Sequence, residues 1–128
     1  MRAALALGSI ATALLPGIAA GDTMAATTRA KSGDFDRRGA VGCAQEVGQP
    51  LETCTAAVAR AEDAAAVVVT FPNGFSRILT FADGDFLRAN ATMSGVGTDT
   101  DWSLSSGIYR IRVDDQRFEL AEALVWMD

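Results

Sequence analysis

VVVTFPNGFSRILTFADGDFL, from Val67 to Leu87, decides the fold, because it reads as three antiparallel strands joined by two tight turns. Pro72 suits the second position of a type I turn, Asn73 the third, and Gly74 accepts the left-handed backbone that follows. The resulting three-residue loop sets Phe71 against Phe75, Val67 against Leu79 and Ala65 against Phe81, so one face of the ribbon is apolar apart from Arg77. Thr70, Ser76, Val68, Ile78, Ala66 and Thr80 make up the other face. A two-residue Asn73-Gly74 turn would slip the register and scatter the aromatics over both faces. Asp83-Gly84 is a type I′ signal that sets Phe86 opposite Phe81. Phe71, Phe75, Phe81 and Phe86 thereby share a face, which reads first as hydrophobic core and second as an aromatic ligand surface.

Upstream, the chain opens with Met1-Arg2 and a thirteen-residue apolar run from Ala3 to Leu15, followed by Pro16-Gly17 and the small residues Ile18, Ala19 and Ala20. This is the layout of a secretory signal peptide, since a membrane span needs roughly 20 apolar residues. Cleavage after Ala19 or Ala20 is expected, giving a signal peptide of residues 1–20, with Met24-Ala25-Ala26 as a later alternative. The first cysteine, Cys43, lies beyond the polar stretch Asp34 to Arg38, which argues against a lipoprotein anchor. Gly21 to Arg38 is mostly Ala, Thr, Gly and charge, with Phe35 its one large apolar anchor, and reads as a flexible leader. Residues 39–128 then form a single β-rich domain. With no second long apolar segment, the protein is expected to be periplasmic or secreted, with no membrane association once the signal is cleaved.

Cys43 and Cys54 are the only cysteines, and in an exported chain such a pair is most simply one disulfide. A redox pair usually has the C-x-x-C spacing, and a metal site would need soft ligands that this histidine-free chain lacks. Gly48-Gln49-Pro50 marks a turn between them. From Ala56 to Ala66 the alanines permit a helix, whereas the valines that follow and the anchoring cysteine favour a strand ending in the charged corner Arg60, Glu62 and Asp63.

Downstream, Asn90 to Thr100 is small, polar and glycine-containing, and reads as the longest surface loop of the domain. Trp102 and Leu104 alternate with Ser103, Ser105 to Gly107 turns the chain, and Tyr109, Ile111 and Val113 share a face opposite Arg110 and Arg112. After Asp114-Asp115, Phe118 and Leu120 alternate with Arg117 and Glu119, and Glu119 falls opposite Arg110 or Arg112 depending on loop length. Ala121 to Met127 is either a closing strand or a helical turn packed on the core. The fold expected is all-β, a small antiparallel sandwich or barrel built from consecutive hairpins, with one N-terminal disulfide.

Cys43-Ala44, Gly48-Gln49-Pro50, Cys54, Val58-Ala59-Arg60, the Pro72-Asn73-Gly74 hairpin and the ending Val113 to Val125 resemble a group of small exported alphaproteobacterial proteins of unassigned function. That resemblance implies a disulfide-bearing β domain and carries no catalytic residues. Ala121 stands where that group has a proline. Ser105-Ser106-Gly107-Ile108-Tyr109, following a run of hairpins, also resembles the Ser-Gly and Tyr inhibitory loop of the bacterial envelope inhibitors of c-type lysozyme, although the disulfide falls earlier in this chain.

With no histidine, the Ser-His-Asp triad and histidine-liganded metals are excluded. The pairs Asp83 and Asp85, Asp99 and Asp101, and Asp114 and Asp115 would suit a two-carboxylate hydrolase, yet each sits in or beside a turn, where aspartate caps local backbone N–H groups. Asp99-x-Asp101 lacks the rest of an EF-hand loop. A formal net charge of −5, without a basic aromatic stripe or a phosphate-cradling glycine loop, disfavours nucleic acid as a partner, so none is expected, and favours basic ones. The expected function is therefore a noncatalytic binding or structural module of the periplasm, without cofactor or metal, whose partner is an envelope or extracellular protein. Recognition is expected on the loops from Asn90 to Thr100 and Ser105 to Gly107, through Trp102, Ser106 and Tyr109. The alternatives are a lysozyme-inhibitor-like protein and an acid-dependent hydrolase using paired aspartates.

Overall fold

Helix α1 (Leu15–Lys31) leads into strands β1 (Arg37–Ala44), β2 (Glu52–Ala61), β3 (Ala64–Thr70), β4 (Ser76–Ala82), β5 (Asp85–Ala89), β6 (Thr100–Ser105), β7 (Ile108–Val113) and β8 (Gln116–Ala121), followed by helix α2 (Glu122–Trp126). This computed structural model describes residues 15–90 and 98–127. Most of the expected signal segment, residues 1–14, and most of the expected long loop, residues 91–97, lie outside the described residues.

The β3–β4 hairpin has the register that the three-residue loop dictates: Thr70 pairs with Ser76, Val68 with Ile78, Val67 with Leu79 and Ala65 with Phe81. The Phe71 N–H donates to Phe75 O at 2.8 Å, and Gly74 takes the left-handed φ of 94°. Asp83 and Gly84 both have positive φ, as a type I′ turn requires, and Phe81 pairs with Phe86. Beyond that pair the β4–β5 ladder slips by one residue. This bulge breaks the alternation along β5, so Phe86 and Ala89 point inward while Leu87, between them, is left exposed. Arg110 faces Glu119 across β7–β8, with Nε and Oε2 3.7 Å apart, as the two-residue form of the Asp114-Asp115 turn demands.

All neighbouring strands are antiparallel, in the order β5-β4-β3-β2-β1-β8-β7-β6. The sheet curls until β5 and β6 approach each other, which makes a nearly closed barrel rather than a sandwich. Its interior holds Val58, Val67, Leu79, Phe71, Phe81, Tyr109, Phe118 and Leu120, all essentially inaccessible. The disulfide Cys43–Cys54 (Cα–Cα 5.9 Å) is a diagonal link between β1 and β2, so it lies within the first hairpin of the barrel and not at the N-terminus of the chain.

The alanine-rich segment is strand β2 with the start of β3. Ala56 and Val58 line the barrel interior, while Ala59, Ala64, Ala66 and Ala82 form a second buried cluster on the outside of the sheet. Strands covered on both faces lose the alternation that would distinguish them from a helix. The outer cover is α1, whose Thr23, Ala26 and Ala30, at helical spacing, are buried against these alanines. Gly21 to Arg38 therefore departs from the expected flexible leader: it continues α1 to Lys31 and enters β1 at Arg37. Small side chains on both sides let helix and sheet approach closely. One cation fastens the connection: Arg29 donates to Asp34 (3.0 Å), to Asp36 (2.8 Å) and to the carbonyl of Arg60 (2.7 Å).

The last segment is a helical turn. Ala121 holds φ −69°, the angle a proline would impose, and the chain turns into α2 there without one. Val125 is buried, and Leu124 lies over Gly39, where a Cβ would stand 2.9 Å from Leu124 Cδ1.

Candidate functional site

An antiparallel meander sends alternate turns to opposite ends of the barrel. One end gathers the β2–β3 turn (Glu62, Asp63), the β4–β5 turn (Asp83, Gly84), the β6–β7 turn (Ser106, Gly107) and α2. A cavity of about 580 Å³ opens there, lined by the turn residues Asp63, Asp83, Gly84 and Gly107 and by Glu122, Ala123, Trp126 and Met127 of α2 and its end. Carboxylates come from three separate elements, whereas the indole and the small apolar groups make the walls.

The rim is held by hydrogen bonds that join one turn to the next. The Asp83 N–H donates to Asp63 O at 2.9 Å, and the Glu122 N–H donates to Gly107 O at 2.8 Å. Tyr109 stands below: its hydroxyl donates to Gly84 O at 2.5 Å and accepts from Trp126 Nε1–H at 2.8 Å. Two arginines satisfy carbonyls of α2 from the barrel side, Arg37 at Ala123 O (3.1 Å) and Arg60 at Trp126 O (2.7 Å). The Arg60 guanidinium also lies 5.9 Å from the Trp126 ring centroid. Burial pushes the Tyr109 hydroxyl above its ordinary pKa, the hydrogen bond from Trp126 opposes this, and the charges of Glu122 and Asp85 add to the rise.

Of the recognition residues expected from sequence, Ser106 is exposed in its turn at φ 52°, beside Gly107 on the cavity rim. Tyr109 is 0% exposed, which corrects its expected role as an exposed anchor: the alternation of β7 turns it inward, against Phe81 at 4.9 Å between ring centroids. Trp102 is half-buried and packs behind Tyr109, 6.1 Å away. Ser106 and Tyr109 thus meet at one end, with Tyr109 beneath the surface. Sequence reasoning missed Trp126, Glu122, Asp63 and Asp83 as members of a common site. The available signal was the meander itself, which places every second turn at the same end.

The other end of the barrel contains the single polar exception on the apolar face. Arg77 is 3% exposed and donates to Gln116 Oε1 (2.8 Å) and Asn90 O (2.5 Å), with Asp114 Oδ2 at 3.6 Å. Asp114 also accepts from the Asp99 N–H at 2.9 Å, Asp99 pairs with Arg112 at 3.3 Å, and Asp101 accepts from the Trp102 N–H at 2.9 Å. Two of the three aspartate pairs therefore have members engaged in local backbone and ion-pair contacts. Both cysteines are in the disulfide. Among the described residues, no group of three or more His, Cys, Asp or Glu side chains is arranged to hold a metal, and no helix is long and apolar enough to cross a membrane. Compared with known family models, curated proteins and solved structures, the chain matches none of them.

Proposed function

We propose that the protein is an exported, noncatalytic binding module of the periplasm that engages an envelope or extracellular protein through the cavity end of its barrel. The observation that carries this reading is the cavity of about 580 Å³, whose rim is tied turn to turn by backbone hydrogen bonds. A rim held in place before binding loses little freedom when a partner docks. The engagement of Asp99, Asp101 and Asp114 in local contacts favours binding over hydrolysis. The disulfide agrees with an oxidising compartment. The test is affinity capture from envelope extract with the oxidised protein and with a Ser106→Lys, Asp83→Lys variant of unchanged melting temperature. A stoichiometric protein held by the first and lost by the second is expected. Equal capture by both would remove recognition from this end of the barrel.

A lysozyme-inhibitor-like role is the second reading, favoured by the exposed Ser106-Gly107 turn on the cavity rim. Because Tyr109 is buried, inhibition would rest on Ser106. Ser106→Trp should then abolish inhibition of c-type lysozyme without unfolding the barrel. No inhibition by the unaltered protein would end this reading.

A further inference from the structure

Resting on the binding-module reading, we infer that the cavity takes one alkyl chain tipped with an ammonium or guanidinium group, as on a lysine or arginine side chain of a basic partner. Three features of the cavity lead to this class. Its walls are the Trp126 indole, Ala123 and the exposed Met127, which suit a methylene chain. Its mouth presents Asp63, Asp83 and Glu122 from three elements, and no Lys or Arg is among the described residues that line it. The guanidinium groups of Arg37 and Arg60 donate to the α2 carbonyls.

Geometry and field agree on the sign of the ligand. An anion would meet Asp63, Asp83 and Glu122 among the lining residues, on a chain whose formal charge is already −5, which disfavours its approach. A neutral chain would fill the apolar part and leave the carboxylates uncompensated. A cationic tip reaches the carboxylates while its stem lies along the indole, so the same ligand satisfies both halves of the cavity. The Arg60 guanidinium already lies by the Trp126 ring, and the indole therefore supplies apolar area while the carboxylates supply the selectivity.

The experiment titrates the oxidised protein with n-hexylammonium, n-butylguanidinium and a short lysine- and arginine-containing peptide, with n-hexanol and hexanoate as the neutral and anionic counterparts. The readout is the Trp126 indole N–H resonance, since Trp126 lines the cavity and its N–H donates to the buried Tyr109 hydroxyl. The cations should shift it saturably, and more weakly as salt is raised. Asp83→Asn with Glu122→Gln should weaken that binding at least about tenfold, each carboxylate lost being a charge-assisted contact. Tighter binding of the peptide than of the free cations identifies a side chain of a basic partner as the source, and the reverse identifies a small organic cation. Equal binding of hexanol and hexylammonium, or an unchanged affinity in the double variant, would overturn the cationic class while leaving a recognition cavity in place. A resonance that no probe moves would overturn the cavity as a site altogether.

Discussion

At the scale of single residues, the polar groups inside this barrel are those whose partners are most constrained. Tyr109 is the sole tyrosine, so its ionisation can be followed directly by ultraviolet absorbance. Burial raises its pKa in the folded protein, and a group whose neutral form the fold favours loses protons first in the unfolded chain. The contribution of Tyr109 to stability should therefore be fully present below about pH 10 and be lost as pH rises from there through the raised folded value. A titration midpoint at or below that of a free tyrosine would contradict the inward placement. Arg77 supplies a second expectation. Arg77→Ala strands Gln116 and Asn90 O and should cost about 2–3 kcal/mol in denaturant unfolding. Asp114→Asn should cost under about 1 kcal/mol, because Asp114 is 43% exposed and asparagine tolerates its left-handed φ of 54°. Equal losses would mean that the ion pair, and not the hydrogen bonding, anchors Arg77. Sequence alone marks Arg77 as the odd residue on an apolar face. It does not show that Gln116, far away in the chain, waits inside to receive it.

At the scale of elements, local chemistry was enough for the hairpins and insufficient for α1. Turn residues determine pairing between adjacent strands, which is why the ladder from Ala65–Phe81 to Thr70–Ser76 follows from Pro72-Asn73-Gly74. The buried face of α1 is Thr23, Ala26 and Ala30, too weakly apolar to stand out, and its burial makes sense only beside the equally small outer face of β2 to β4. The Arg29 contacts make this docking sensitive to acid. Hydrogen bonds from Arg29 hold the Asp34 and Asp36 carboxyls below the ordinary aspartate range, and the Arg60 N–H reinforces this at Asp36. Groups with lowered folded pKa values stabilise the fold fully above the unfolded value of about 3.9 and cease to do so as pH falls through the folded one. Hydrogen exchange should show the α1 amides losing protection on acidification before those of β3, and Asp36→Asn should bring that loss to higher pH. Simultaneous loss in helix and strand would mean that α1 is not separately latched.

At the scale of the whole molecule, the constraints beyond the turns are one covalent link, within the first hairpin, and one long-range closure, of β1 on β8. Reducing Cys43–Cys54 should lower stability by about 3 kcal/mol on the loop-closure relation and the melting temperature by on the order of 10 °C, as scanning calorimetry with and without reductant would show. No change would mean that the β1–β2 ladder already restrains the loop. The bond was legible in the cysteine pair. Barrel against sandwich was not, because closure depends on β1 meeting β8, and nothing local in either strand announces the other.

That meeting also governs the order in which the chain can assemble. Every other ladder joins neighbours in sequence, so β1 to β5 and β6 to β8 can each zip up as a meander from their own turns. Among the described residues, the three pairs from Gly42–Glu119 to Ala44–Arg117 are the only ladder between the two halves. They close the longest loop of any ladder in the barrel, and because long-range pairing follows the local hairpins that shorten it, this short ladder is the natural late contact.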